Sequence, residues 1–147
     1  KSNLLLQALR IGPAEREEIR HREYVEHIID FLEIQAFRKT PVGTLPYGLQ
    51  KRVDLGRALA MEPQVLLLDE PMAGMSVENV PELVEIIRSL ATEHKKTVLI
   101  VEHHMEVILG LADRIAVLNY GELLVCDTPE NVINNPIVQS AYIGEAL

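Results

Sequence analysis

The sequence has few of the residues that would indicate an extracellular, membrane-spanning or nucleic-acid-binding protein. Its single cysteine, Cys126, excludes an internal disulfide framework and favours a reducing compartment. No apolar run approaches the roughly 18 to 20 residues that span a membrane. Tryptophan is absent, and the aromatic residues are four tyrosines and two phenylalanines, so a surface that stacks on nucleic-acid bases is not expected.

Positive charge is also scarce. The chain has 14 Lys and Arg residues against 22 Asp and Glu residues, which gives a formal net charge of −8. An acidic chain lacks the general attraction to phosphate backbones, so nucleic acid is not expected as a partner. Apolar residues make up 48% and charged residues 24% of the 147 residues, which is typical of one folded domain or of a large part of one.

The first 44 residues show helical spacing. Residues 4–9 predict a short helix, which Gly12 and Pro13 end. Apolar residues at i, i+3, i+4 and i+7 predict a longer helix over 14–37. The segment 39–47 contains two prolines and a glycine and predicts a loop. We expect residues 1–44 to be part of a helical subdomain.

After Thr44 the pattern becomes one of alternating strands and helices. Short apolar runs predict strands at 65–68, 97–101, 115–118 and 123–126, the last two joined by a hairpin turn around Tyr120 and Gly121. Helical patterns lie at 48–60, 80–90, 105–112, 129–134 and 136–143. The fold class is therefore α/β, with a mainly parallel sheet that helices cover on both faces. Residues 45–128 are expected to form the core and 129–147 the C-terminal helices.

Paired acids follow the first of these strands. Asp69 and Glu70 come directly after four apolar residues, a costly position for carboxylates unless water or a cation meets them. In nucleotide hydrolysis the first acid can hold Mg²⁺ and the second can orient or deprotonate the attacking water. The two acids can equally cap the turn that follows the strand.

Two further positions could meet a phosphate. Gly48 lies where a loop passes into a helix, and unpaired N–H groups at a helix start bind anions, although an ordinary glycine is also common there. His103 follows Glu102 at the end of the second strand and could donate to a phosphate oxygen or lie exposed without a role. A metal shared by Glu102 and His103 is disfavoured, because neighbours in a strand point to opposite faces. In a parallel sheet both pairs of polar residues are expected at the same edge.

The order of these features resembles the nucleotide-binding domain of ABC-type ATPases, a P-loop NTPase fold. Residues 45–53 resemble the signature motif, and 65–71 resemble the Walker B strand. Residues 73–76 lie where the D-loop follows, and His103 lies at the position of the switch histidine. The form Leu-Pro-Tyr-Gly-Leu-Gln at 45–50 and the run Glu-His-His-Met at 102–105 are similar to ATPase subunits of importers for branched-chain amino acids, and of their amide or urea relatives, which have Glu-His-Asp-Met in the second motif.

The resemblance implies catalytic roles for three residues in an ATP-hydrolysing subunit. Asp69 would hold the Mg²⁺ shell, and Glu70 would be the general base or the residue that orients water. His103 would contact the γ-phosphate and the attacking water. ATP and Mg²⁺ are thus the implied cofactors.

The resemblance also implies a surface that meets ATP bound by a second subunit. Gly48 would contact that γ-phosphate together with the backbone of its neighbours Tyr47, Leu49 and Gln50, and Ser76 would lie in the D-loop between subunits. The commoner signature reads Leu-Ser-Gly-Gly-Gln, so the side chains of Pro46, Tyr47 and Leu49 depart from it.

No Gly-x-x-x-x-Gly-Lys-[Ser/Thr] loop, the Walker A phosphate cradle, occurs in the sequence. The sequence is therefore interpreted as a C-terminal fragment of an ABC ATPase, which alone would bind ATP weakly or not at all, would not hydrolyse it, and would self-associate through bared apolar surface.

The implied partners are transmembrane permease subunits and a second ATPase subunit, in a homodimer or a heterodimer. The implied location is cytoplasmic, peripheral on the inner face of the cell membrane. Two alternatives stay open: a non-transport ABC ATPase that acts on DNA or ribosomes, and a binding module without a P-loop that senses a partner's nucleotide.

Overall fold

The computed structural model describes residues 13–142, so the predicted helix at 4–9 and the end of the chain from Ile143 lie outside the described residues. The helices, numbered in chain order, are α1 Pro13–Phe31, α2 Tyr47–Leu59, α3 Val80–Thr92, α4 Met105–Leu111, α5 Pro129–Ile133 and α6 Pro136–Tyr142. The strands are β1 Val65–Asp69, β2 Thr97–Val101, β3 Ile115–Asn119 and β4 Glu122–Asp127. Among the described residues, no helix is both long and apolar enough to cross a membrane.

The chain forms two compact units, residues 1–99 and 100–147, and the boundary falls within β2. Each unit has its own buried apolar side chains. The domain limits predicted at residues 44 and 128 stay predictions.

The first helix ends earlier than predicted. It stops at Phe31 rather than at residue 37, and the segment beyond it forms a short 3-10 helix, Gln35–Phe37. The cause is Glu33, which adopts a left-handed conformation with φ 56°. The Glu33 N–H donates to the Asp30 carbonyl, and the Ile34 N–H donates to the Ile29 carbonyl. This pair of hydrogen bonds is the Schellman motif that closes a helix C-terminus, usually with glycine in place of Glu33.

A second 3-10 helix, Val42–Thr44, interrupts the predicted loop before α2 begins at Tyr47. In the first unit, α2 and α3 bury one apolar stripe each, including Leu55, Leu59, Leu83 and Ile87. The spacing of these residues is three to four positions, as expected for helices packed on one face.

Strands β1 and β2 form a two-stranded sheet. The Thr97 N–H donates to the Gln64 carbonyl at 3.0 Å, so the two strands begin side by side and run in the same direction. The connection between them contains α3, as expected for a parallel pair.

The prediction that helices cover both faces of this sheet is wrong for the described residues. Side chains alternate along β1, with Leu66 buried and its neighbours Val65 and Leu67 more than half exposed. The exposed positions of β2 alternate in the same way and include Leu99. Because successive side chains of a strand point to opposite faces, β1 has one packed face and one open apolar face.

The second unit is built on the β3–β4 hairpin. The strands are antiparallel, and Asn119 pairs with Glu122 across a two-residue turn. Both turn residues, Tyr120 and Gly121, have positive φ, which is the type I′ conformation that suits a right-handed strand twist. The buried side chains of this unit come from the hairpin and the last two helices: Ile115, Val117, Val132 and Val138.

Candidate functional site

Helix α2 begins at the predicted phosphate-contacting residues. Pro46 is its N-cap, and the Pro46 carbonyl accepts the N–H groups of Leu49 and Gln50 at 2.9 and 3.1 Å. The Gln50 side chain turns back, and its Nε2 donates to the Leu45 carbonyl at 2.8 Å. The helix geometry leaves the N–H groups of Tyr47 and Gly48 as the first-turn donors without an acceptor in the preceding turn. These two backbone groups are the ones that could meet an anion.

The Tyr47 ring lies close to two neighbours. Lys51 Nζ lies over the ring, 5.4 Å from its centroid, in cation–π contact. Gly74 is the second neighbour, where an added Cβ would lie 3.0 Å from Tyr47 Cε1. Gly74 also has φ +75°, a conformation that disfavours other residues. Tyr47 therefore occupies the space that the missing side chain of Gly74 leaves.

The predicted D-loop is fixed by local hydrogen bonds. Ser76 Oγ accepts from Asn79 Nδ2 at 2.8 Å, and the Asn79 N–H donates to the Ser76 carbonyl. The N–H of Glu78 itself and the Ser76 hydroxyl hold the pKa of the Glu78 carboxyl below its usual range. A Cβ at Gly48 would lie 3.6 Å from Met75 Cε and 3.7 Å from the Asn79 side chain. The structure thus brings the start of α2 and the D-loop segment together within one unit.

The paired acids lie at the end of β1. Asp69 is the last residue of the strand, and its side chain is exposed, as is that of Glu70. Glu70 has φ 42°, in the left-handed region that few non-glycine residues adopt. The Glu70 carbonyl accepts the Ala73 N–H at 3.1 Å, so the chain turns sharply directly after the strand. Exposed carboxylates on such a turn offer the hard oxygen donors that Mg²⁺ prefers.

Arg52 is a residue that the sequence analysis did not single out. Its side chain is only 9% exposed and bridges three parts of the first unit. Nη1 donates to the Leu32 carbonyl at 3.1 Å and lies 3.6 Å from Glu33 Oε2, while Nη2 bonds the carboxylate of Glu82. Arg52 thus joins the end of α1, the signature helix α2 and the first turn of α3. Its position three residues before Leu55, on the apolar stripe of α2, was the signal in the sequence.

His103 lies in the second unit, beside two polar neighbours. Strand β2 ends at Val101, so Glu102, His103 and His104 belong to no strand. Glu102 Oε2 lies 2.9 Å from His104 Nδ1 and 4.0 Å from His103 Nδ1, and it accepts the His103 N–H at 3.2 Å. The expectation that these side chains diverge is wrong, because the strand alternation on which it was based stops one residue earlier.

The predicted site residues therefore fall in two groups. Tyr47, Gly48, Leu49, Gln50, Asp69, Glu70 and Ser76 belong to the first unit, and His103 belongs to the second. The predicted meeting of Asp69 and Glu70 with Glu102 and His103 at one sheet edge stays a prediction.

Comparison with known proteins identifies the family. Residues 2–73, a segment that ends beyond Asp69 and Glu70, match the ABC transporter family model. The high-affinity branched-chain amino acid transport ATP-binding protein BraF of Pseudomonas aeruginosa is 36% identical over 145 residues, which is 99% of this chain and 57% of BraF. Residues 2–73 thus match an ABC transporter domain, and nearly the whole chain is similar to an ABC transporter ATP-binding protein. Its resemblance in the signature and Walker B motifs is thereby confirmed at the level of the family.

Two further ATP-binding proteins of transport systems are similar to this chain, one over fewer residues and one at lower identity. The protein LivG of Escherichia coli, with the same descriptive name as BraF, is 44% identical over 102 residues, covering 69% of this chain and 40% of LivG. The lipopolysaccharide export system ATP-binding protein LptB of Acidithiobacillus ferridurans is 34% identical over 141 residues, covering 96% of this chain and 56% of LptB.

The fold agrees with the family. The ADP conformation of an ATP-binding cassette of an ABC transporter superposes with a TM-score of 0.76 and 25% identity, covering 96% of this chain and 61% of that one. The α/β fold of an ABC ATPase, predicted from the sequence, is therefore confirmed. The chain spans less than two thirds of the length of these relatives.

Proposed function

We propose that the protein carrying this chain is the ATP-binding and ATP-hydrolysing subunit of an ABC importer for branched-chain amino acids or related amides. The observation that carries the proposal is the match with BraF, which extends over nearly the whole chain and includes the signature helix and the paired acids of β1. The match with LptB, a protein of an export system, means that overall similarity alone does not separate import from export. The Leu-Pro-Tyr-Gly-Leu-Gln signature favours the importer type.

Three side chains carry the proposed chemistry. Mg²⁺ bound with ATP would neutralise the negative charge that develops on the phosphate oxygens during hydrolysis. The exposed carboxylate of Asp69 would hold it, since its oxygen donors suit the ion. Glu70, turned out of the strand by its left-handed backbone, would accept the proton of the attacking water or orient that water. The His103 side chain, which is 64% exposed, would donate a hydrogen bond to the γ-phosphate.

The start of α2 would serve a second active site. The first-turn N–H groups of Tyr47 and Gly48 would donate to the γ-phosphate of ATP on a second ATPase subunit. The N–H groups of Leu49 and Gln50 already donate to the Pro46 carbonyl, so these two residues would lie beside the phosphate rather than donate to it. Gln50 would hold the loop before the helix through its bond to Leu45. Ser76, in the D-loop segment beside Gly48, would lie between the two subunits.

The proposed assembly has further partners. The protein would act from the cytoplasmic side of the membrane, bound to permease subunits, and would couple ATP hydrolysis to their movement. We also propose that the 147-residue chain alone does not turn over ATP, because its sequence has no Walker A loop to supply the amide cradle and the lysine for the β- and γ-phosphates.

An uptake experiment tests the proposed function. The gene that encodes this chain is deleted from its host, and uptake of radiolabelled leucine, isoleucine and valine is measured after complementation with the wild type or with Glu70→Gln. We expect deletion to abolish high-affinity uptake, the wild type to restore it, and Glu70→Gln to fail at equal protein level. Glu62→Gln is the matched control, since Glu62 is also exposed and left-handed, with φ 52°. Unchanged uptake after deletion would contradict the proposal.

A further inference from the structure

Three consecutive side chains in the second unit gather their metal-binding atoms in one place. One carboxylate oxygen of Glu102 and one ring nitrogen each of His103 and His104 all lie within 4.8 Å of one another. The two imidazole rings lie side by side, with centroids 4.3 Å apart and planes tilted by 32°. The three residues follow β2 and precede α4, so the backbone is free of the strand alternation that would separate them.

Burial makes the cluster electrostatically unusual. The Glu102 side chain is fully covered, whereas the side chains of His103 and His104 are 64% and 50% exposed. A covered carboxylate is costly unless positive charge or hydrogen bonds compensate it. Glu102 Oε2 lies within 4.0 Å of a nitrogen of each ring, so a cation bound by the rings would lie next to the negative charge of the carboxylate.

The donor set suits divalent transition metals. Two imidazole nitrogens and one carboxylate oxygen are the protein ligands of some catalytic Zn²⁺ sites, in which water fills the fourth position, and of non-haem Fe²⁺ sites. Ligand atoms of one tetrahedral Zn²⁺ are about 3.3 Å apart, given bonds of about 2.0 Å. The separation of 2.9 Å between Glu102 Oε2 and His104 Nδ1 is already shorter than that, and rotation of the exposed His103 ring would close the larger gap.

We propose that Glu102, His103 and His104 form a binding site for a divalent transition-metal ion of the Zn²⁺ class. His104 is the residue that makes the third ligand a nitrogen, since the similar importer motif has aspartate at this position. The metal site is independent of the proposed transport function, because all three ligands belong to one unit and none needs nucleotide.

A consequence for activity rests on the proposed function. The proposed phosphate contact and the metal both use the imidazole of His103, which cannot serve both at once. Zn²⁺ would therefore inhibit phosphate release by withdrawing His103 from the γ-phosphate.

Zinc titration of the untagged chain tests the site. Binding of Zn²⁺ is measured at pH 7.5 in competition with a chromophoric zinc indicator, in a Cys126→Ser background that removes the exposed thiol. We expect one Zn²⁺ per chain, and at least tenfold weaker binding in His104→Ala and in Glu102→Gln. His21→Ala, a substitution of an exposed histidine of α1, should bind as the parent does. Circular dichroism confirms that each variant is folded, and His104→Ala is the decisive one because its ring is half exposed.

Two results would overturn the metal site: no saturable binding of one Zn²⁺ per chain, or equal affinity in the parent and in folded His104→Ala. A second assay follows phosphate release by the protein as its own gene encodes it, with and without Zn²⁺. We expect inhibition in the parent and resistance in His104→Ala. Stoichiometric binding without inhibition would uphold the metal site and contradict the placement of His103 at the γ-phosphate.

Discussion

Two glycines of α2 have opposite surroundings, although they lie eight residues apart on one helix. A Cβ at Gly48 would meet Met75 and Asn79 at 3.6 to 3.7 Å, an ordinary van der Waals contact. A Cβ at Gly56 would lie 2.8 Å from Leu32 Cδ1, and Leu32 is fully buried. The packing therefore disfavours a larger residue at position 56 but not at position 48, so the proposed approach of a phosphate to Gly48 can be tested without disturbing the packing.

The substitution Gly48→Ala is expected to affect ATP hydrolysis without lowering the stability of the fold. We expect its free energy of unfolding to be unchanged or raised by up to about 1 kcal/mol, because alanine favours a helix over glycine. We expect ATP hydrolysis by the protein as its own gene encodes it to be lost, because the new methyl group would block the phosphate. Thermal denaturation and a phosphate-release assay measure the two effects.

Gly56→Ala is the control for this experiment. It should be destabilised by about 1 to 3 kcal/mol through overpacking against Leu32. A Gly48→Ala protein that is fully active would show that no ligand approaches this glycine.

Arg52 links three elements through a nearly buried guanidinium. Arg52→Ala should lower the free energy of unfolding by about 2 kcal/mol, because the Leu32 carbonyl would lose its donor while the exposed carboxylates of Glu33 and Glu82 would be solvated. Urea denaturation measures the change. Arg57→Ala is the control, since this exposed arginine of the same helix makes an i,i+3 pair with Asp54, and it should change stability by less than about 0.5 kcal/mol. Equal effects of the two substitutions would contradict the bridging role of Arg52.

At the scale of elements, the carboxylate of Asp127 connects the end of β4 to the start of α5. Asp127 Oδ1 accepts from Asn131 Nδ2 at 3.0 Å and from the Thr128 N–H at 2.7 Å. The pKa of the Asp127 carboxyl is held below its usual range. The hydrogen bond from the Asn131 amide contributes most, followed by that from the Thr128 N–H and by the charge of Arg114. The ionised carboxylate thus fastens the hairpin to the helix that follows it.

A pH dependence follows from the lowered pKa of Asp127. A group whose pKa is depressed on folding contributes stability above its unfolded-state pKa and loses that contribution as the pH falls through the folded-state value. We therefore expect Asp127→Asn to be less stable than the wild type at neutral pH and the difference to vanish in acid. Carbon-13 NMR titration of the side-chain carboxyl should give a midpoint below that of an ordinary aspartate. A midpoint at the ordinary value would refute this account.

Local patterns made most elements predictable from the sequence. A wholly apolar run predicted β1 and an apolar, β-branched run predicted β2, each to within one residue, and the Asn-Tyr-Gly turn predicted the hairpin. The end of α1 was mispredicted because the left-handed conformation of Glu33 is held by hydrogen bonds from the following backbone, and glutamate carries no signal for it. Solvent exposure on one face of β1 was equally hidden, since a fully apolar run gives no alternation to read.

The candidate site was predictable in part. The residue types and order of the signature and Walker B motifs led to the correct family from the sequence. The place of Arg52 on the apolar stripe of α2 indicates its burial, but its contacts with Leu32 and Glu82 are tertiary and could not be predicted from the sequence. The convergence of Glu102 with the two histidines depends on β2 ending at Val101, and strand ends are among the least certain features of a sequence.

At the scale of the whole molecule, the open apolar face of β1 is unfavourable in contact with water. Leu67 is 73% exposed, and Val65 on the same face is also more than half exposed. We expect the 147-residue chain to self-associate through this face, because pairing two copies removes apolar surface from water. Multi-angle light scattering should show a mass that rises with concentration, and Leu67→Lys should shift the chain toward the monomer.

Met61→Lys is the control for the self-association. Met61 is 83% exposed but lies between α2 and β1, outside the strand. A chain that is monomeric at every concentration, or one that Met61→Lys dissociates as strongly as Leu67→Lys, would contradict a role for the sheet face.

The measurement that tests the central claim most directly is Mg²⁺-dependent phosphate release by the protein as its own gene encodes it, compared between wild type and Glu70→Gln. Glutamine keeps the size and hydrogen-bonding reach of Glu70 but cannot accept a proton. We predict turnover in the wild type, its loss on removal of Mg²⁺, and a decrease of at least about 100-fold in Glu70→Gln, the scale of a lost general base. Turnover by Glu70→Gln at the wild-type rate would contradict the assignment of β1 and its paired acids as the hydrolytic centre.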